Sequence, residues 1–85
     1  MNSIIVNSQP FDTLQTVVVY QQGTVVATHK ASIDDIPNLV LNLSNMYSCK
    51  NVNLVGNKNF LERTKAQILT KFANKDLNIE IIERG

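Results

Sequence analysis

The spacing of hydrophobic positions changes once along this 85-residue chain. Before residue 32 the apolar residues come in short β-branched runs, and after it they first recur at helical intervals. Residues 3–7 (Ser-Ile-Ile-Val-Asn) predict a short strand ended by Ser8-Gln9-Pro10. Residues 14–21 predict a second strand and residues 24–30 a third, antiparallel to it. Gln22-Gly23 supplies the turn between them, with Gly23 free to take a positive φ. Ile36, Leu39, Val40, Leu43, Met46 and Tyr47 then follow a helical period and predict a helix over 35–47. Asp34 or Asp35 is placed to cap it, and Pro37 fits its first turn, where the missing N–H is not needed. Residues 51–55 predict a strand that stops at Gly56. Asn59 followed by Glu62 resembles a capping box and opens a second helix with Leu61, Ile68, Leu69 and Phe72 as its apolar stripe. That helix ends at Asn74-Lys75-Asp76, and residues 77–82 alternate as a last strand, kept soluble at an edge by Glu80, Glu83 and Arg84.

The order β-β-β-α-β-α-β, with no linker or repeat, predicts one domain over 1–85. Three strands in a row form a meander, and each helix then acts as a crossover to a further strand. Right-handed crossovers that step the same way across a sheet leave both helices on one face. The expected fold is therefore of the α/β (α+β two-layer) class, with a mixed five-stranded sheet in the order 3-2-1-4-5 and two helices on one side.

Composition narrows the function classes. A single cysteine, Cys49, excludes an internal disulfide framework and a cysteine-rich metal site. A net charge of +1 is too small for a strongly basic nucleic-acid binder, so nucleic acid is not an expected partner. No apolar run is long enough to span a membrane, and no N-terminal stretch resembles a secretory signal. The expected location is cytoplasmic. Asparagine occurs eleven times, which points to an A/T-rich genome such as that of a low-GC bacterium or a phage; for a phage protein the place of action is the host cytoplasm.

The element order resembles the ribonuclease-H-like fold, over nearly the whole chain and in topology only. Nucleases of that fold carry one Asp within the first strand and another acid at the end of the fourth. Here the first strand reads Ile4-Ile5-Val6-Asn7-Ser8, with Asn7 near the place of the acid, and the fourth runs into Gly56-Asn57-Lys58. The first helix holds no Glu. The resemblance thus implies a fold and carries over no catalytic residue. The chain also resembles the short uncharacterised proteins common in tailed-phage genomes.

Other candidate chemistry is sparse. Two-metal catalysis needs three or four converging carboxylates. Asp34 and Asp35 serve a helix cap, and Asp12, Glu62, Asp76, Glu80 and Glu83 are spread over loops, a helix face and an edge. His29 lacks an expected orienting partner, and Cys49 lacks a histidine to activate it. The sequence therefore predicts no catalytic residue, no metal and no cofactor. Gly56-Asn57-Lys58-Asn59 joins a strand to a helix N-terminus, where backbone N–H groups can hold an anion, so these four residues are the candidate site for a small ligand or nucleotide. The basic residues Arg63, Lys65, Lys71 and Lys75 are interrupted by Glu62 and Asp76, with no aromatic platform, and read as a solvated helix face.

The informative feature is the first third of the chain. Residues 1–31 carry only Asp12 and Lys30, while the other 13 of the 15 charges lie beyond them. Each early strand offers apolar groups to both faces: Ile4 and Val6 oppose Ile5, Val17 and Val19 oppose Leu14, Val18 and Tyr20, and Val25 and Ala27 oppose Val26. Strands that are apolar on both sides are buried on both sides, and two helices cover only one. The expected function is a non-enzymatic interaction module, dimeric by first choice or docked on a larger protein, possessing an interface built from Ile5, Val17, Val19, Val25, Val26 and Ala27. The strand over 24–29, an edge without Pro or charge, is a second route to association by strand addition.

Overall fold

The computed structural model describes residues 2–9, 11, 13–72 and 76–83. β1 (Ser3–Asn7), β2 (Gln15–Gln21) and β3 (Thr24–Ala31) come first. A 3-10 turn over Ile33–Asp35 leads into α1 (Ile36–Tyr47), then β4 (Asn51–Gly56), α2 (Lys58–Lys71) and β5 (Asn78–Glu83). The strands form one sheet in the order β3-β2-β1-β4-β5. β1 is antiparallel to β2 and parallel to β4; β2 and β3 are antiparallel, and β4 and β5 parallel. This is the α+β fold and strand order expected from the chain. Pro10, Asp12, Asn74, Lys75 and Arg84, on which some of the expectations fell, lie outside the described residues.

Register explains where the core sits. Ile4 lies opposite Val19 on one side and Val52 on the other; Val6 lies opposite Val17 and Leu54. All six are fully buried, and Ile36, Val40 and Leu43 of α1 and Leu61 and Ile68 of α2 close over them. Each such side chain contributes about 1.5–3 kcal/mol on burial. The helical stripes are narrower than expected. Met46 is 69% exposed and Leu69 45% exposed, whereas Thr64 is buried. The inward positions of α2 run Leu61, Thr64, Ile68, and Leu69 stands one residue past that line, turned about 100° toward solvent.

The hairpin turn is built as its residues dictate. Gln22 and Gly23 have φ of 53° and 78°, the two positive values a type I′ turn needs. Past the turn the register slips between Val19 and Tyr20, so Val25 sits opposite Tyr20, Ala27 opposite Val19, and Val26 is the extra residue of a bulge. At the entry to α1, Asp35 occupies the cap position and accepts a 3.0 Å hydrogen bond from the Ser32 hydroxyl, but its side chain bonds no backbone N–H of the helix. Ser48 ends α1 in the left-handed conformation, and the Ser44 hydroxyl donates to the Cys49 carbonyl. No helix among the described residues is long and apolar enough to cross a membrane.

Candidate functional site

The Gly56–Asn59 turn is closed on itself. Gly56 is buried at the end of β4 with φ of 150°, and the position of a Cβ there is 2.8 Å from the Ser8 carbonyl oxygen. Asn57 is the cap of α2: its side-chain oxygen accepts from the Phe60 N–H at 3.1 Å, and its carbonyl accepts from the Leu61 N–H. The cap is thus Asn57 and not Asn59: Asn57 has an extended backbone and its side chain takes the Phe60 N–H, while Asn59 already lies inside the first turn of the helix. Lys58 and Asn59 are exposed in the first turn. One of the N–H groups on which anion binding would rely is therefore already engaged by a side chain.

The isolated reactive groups stay isolated. Among the described residues no three His, Cys, Asp or Glu side chains come together to hold a metal. His29 is exposed on β3, opposite Val17. Cys49 is 1% exposed, more deeply buried than a turn residue is expected to be, because Ser44 and the Asn51 carbonyl fold the chain over it. Its thiol should therefore resist a disulfide dye in the native protein and react fully in guanidinium chloride; fast labelling without denaturant would contradict this burial. A groove of about 450 Å³ between α1 and α2 carries charges of both signs, Asp34 against Arg63 and Lys71. Its lining holds no His or Cys.

The expected interface residues divide between the two faces. Val17 and Val19 are fully buried beneath the helices, and Ala27, paired with Val19, packs against the same core. These three do not form an outward surface. The reason is parity: β2 takes its register from β1, where Ile4 and Val6 are the inward residues. Ile5 and Val25 do face outward, and Val26 is exposed at the bulge.

The outward face is legible from the same register. At one end of the strands lie Val25, Tyr20 and Ser3, with Asn51 and Asn78 beyond. The middle row is Thr28, Val18, Ile5, Asn53 and Glu80, and the far row Lys30, Thr16, Asn7, Val55 and Ile82. The apolar members fall on a diagonal: Val25 and Tyr20, then Val18 and Ile5, then Val55 and Ile82. On one side of this stripe is an asparagine-rich corner around a shallow depression of about 410 Å³, lined by Ser3, Asn51, Asn53, Asn78 and Glu80. Asn78 donates to the Asn51 side chain at 3.4 Å, and Asn51 donates to the Asn2 carbonyl at 3.3 Å. On the other side stand Thr28, Thr16, Asn7 and Lys30. Val25 and Ile82, at the two ends, are 49% and 47% exposed.

Val18, Tyr20, Val55 and Ile82 are the members of this surface that the list of expected interface residues lacks. Comparison with known protein families, curated proteins and solved structures finds no match for the chain.

Proposed function

We propose that this chain is a non-enzymatic interaction module that associates with a second copy of itself through the open face of its sheet. The observation that carries this reading is the apolar diagonal from Val25 to Ile82, on the face away from the chain's own helices. A sheet face of this character is a surface for another protein layer. Six apolar side chains, two of them about half exposed and four partly buried, at roughly 1 kcal/mol each on average and counted on both copies, give at most about 12 kcal/mol. Association costs about 4–15 kcal/mol. The stripe thus comes close to balancing that cost, and the polar flanks decide whether and how the faces close. Light scattering after size exclusion tests the reading: at micromolar concentration the expected mass is twice the 9.5 kDa of the chain. A 9.5 kDa particle up to millimolar concentration would overturn self-association and leave a larger protein as the occupant of the face.

The likeness to the ribonuclease-H-like fold we take as one of topology, supported by the strand order. Asn7 and the Gly56 turn stand near where nucleases of that fold carry acids, so the likeness carries no catalytic residue over to this chain. A ligand module at Gly56–Asn59 has less support, since Asn57 already serves the helix as its cap.

A further inference from the structure

We infer that the two copies pair about a two-fold axis that runs along the apolar diagonal, so that the Lys30 side of each face meets the Glu80 side of the other. This rests on the reading of the open face as a self-docking surface and specifies how that surface is used.

Two faces brought together by a two-fold axis meet isologously, and the axis lies in the plane between them. Superposing stripe on stripe leaves two choices. An axis along the stripe sets each apolar residue against its own counterpart and exchanges the flanks: the asparagine-rich corner with Glu80 lies over the partner's threonine-rich corner with Lys30. An axis across the stripe reverses the stripe and sets each flank on itself, Glu80 side on Glu80 side and Lys30 side on Lys30 side.

The charges choose between them. In the three rows of the open face, Lys30 is the one cation and Glu80 the one anion, and they stand on opposite sides of the stripe. The axis along the stripe places unlike flanks together at both ends of the interface. The other axis places like flanks together at both ends, and like-charge juxtaposition is what protein surfaces use to reject a pairing. The hydrogen-bonding groups agree. Asparagine amides, which both donate and accept, meet threonine hydroxyls, which do the same.

The geometry is of a known kind. The stripe crosses four inter-strand gaps while it climbs about four residues. At strand spacings of about 4.8 Å and rises of about 3.4 Å per residue it lies roughly 55° from the strands. The two-fold then crosses the strands of the two sheets at about 70°, nearer to orthogonal than to aligned sheet packing.

Two measurements test the axis. In sedimentation equilibrium at low salt, Lys30→Glu and Glu80→Lys should each weaken the dimer severalfold, because the symmetry applies each reversal twice and exposed charges on facing flanks interact through water. The double variant should return to within about twofold of the original. Separately, Val55→Cys near one end of the stripe should give a covalent dimer with a short bis-maleimide, because the axis brings that residue to its own counterpart. The buried Cys49 supplies little background. If the protein is dimeric but single reversals change nothing, and Val55→Cys fails to link while Ile5→Cys at the centre does, the axis is overturned and self-association stands. If the unmodified protein is monomeric, the reading beneath it has failed as well.

Discussion

Val18→Asp is expected to leave the protein folded and to make it monomeric. Val18 sits in the middle row of the open face, opposite Ile5 on β1 and Thr28 on β3, on the side of the sheet away from both helices. In a single chain the new carboxylate reaches water, so the cost to folding is on the order of 1 kcal/mol, the scale of strand preference. In a face-to-face pair, two carboxylates would be desolvated beside each other at the centre of the interface, which costs several kcal/mol. The dissociation constant should therefore rise more than a hundredfold, with the melting temperature of the monomer moved by only a few degrees. The neighbouring residue is the control. Val17 is fully buried under the helices, and Val17→Asp should unfold the chain outright by placing a charge in the core. Light scattering and circular dichroism on the pair separate the two faces of one strand; a Val18→Asp protein that stays dimeric would rule out the open face as the contact.

Gly56→Ala is the substitution with the largest expected cost per atom. The backbone at Gly56 has φ of 150°, where a side chain is strained, and the new Cβ would stand 2.8 Å from the Ser8 carbonyl oxygen and 3.2 Å from the Ser8 Cβ. Strained backbone costs about 1–3 kcal/mol and overpacking a further 1–3. A loss of about 3 kcal/mol is expected, and at roughly 4–8 °C per kcal/mol for a domain of this size the melting temperature should fall by about 12–24 °C. Gly23→Ala separates the contributions. Gly23 also has a positive φ, but a Cβ there meets nothing within 4 Å, so only the backbone cost of about 1 kcal/mol should be lost. Thermal melts in which the two alanine variants behave alike would show that the approach of β4 to Ser8 is not what demands the glycine.

Local chemistry made most of the fold legible in the chain. Gln22-Gly23 fixes the hairpin, Pro37 beside two aspartates marks the start of α1, and Gly56 stops β4. The side of each strand was harder to read. Val17, Val18 and Val19 are chemically identical, and nothing among them says which faces the helices. That parity comes from β1, and ultimately from Val52 and Leu54, which lie far along the sequence. The cap of α2 was misplaced for a similar reason: Asn57 and Asn59 are the same residue two positions apart, and only the extended backbone of Asn57 decides between them. The diagonal needs the register of all five strands at once, because Val55 and Ile82 join Val18 and Ile5 only after both crossovers are made. The abundance of asparagine, which had no role in one dimension, acquires a place on the sheet, where Asn7, Asn51, Asn53 and Asn78 stand beside the stripe on its polar flanks.

β1 is among the earliest segments of the chain and yet lies in the middle of the sheet, and this shapes how the molecule assembles. Its partner β2 is close by, but on its other side Asn51 reaches back to Asn2 across 49 residues of sequence. A growing polypeptide can zip its first hairpins while Ile4 and Val6 still lack half their surroundings, and it must wait for α1 and β4 to emerge. Closing that long loop is the entropic toll that sets the pace, since distant pairing rewards the chain only after the closure is complete. Until then the valine-rich meander is naked on both sides, and the nascent chain is at its stickiest just before it becomes a folded protein.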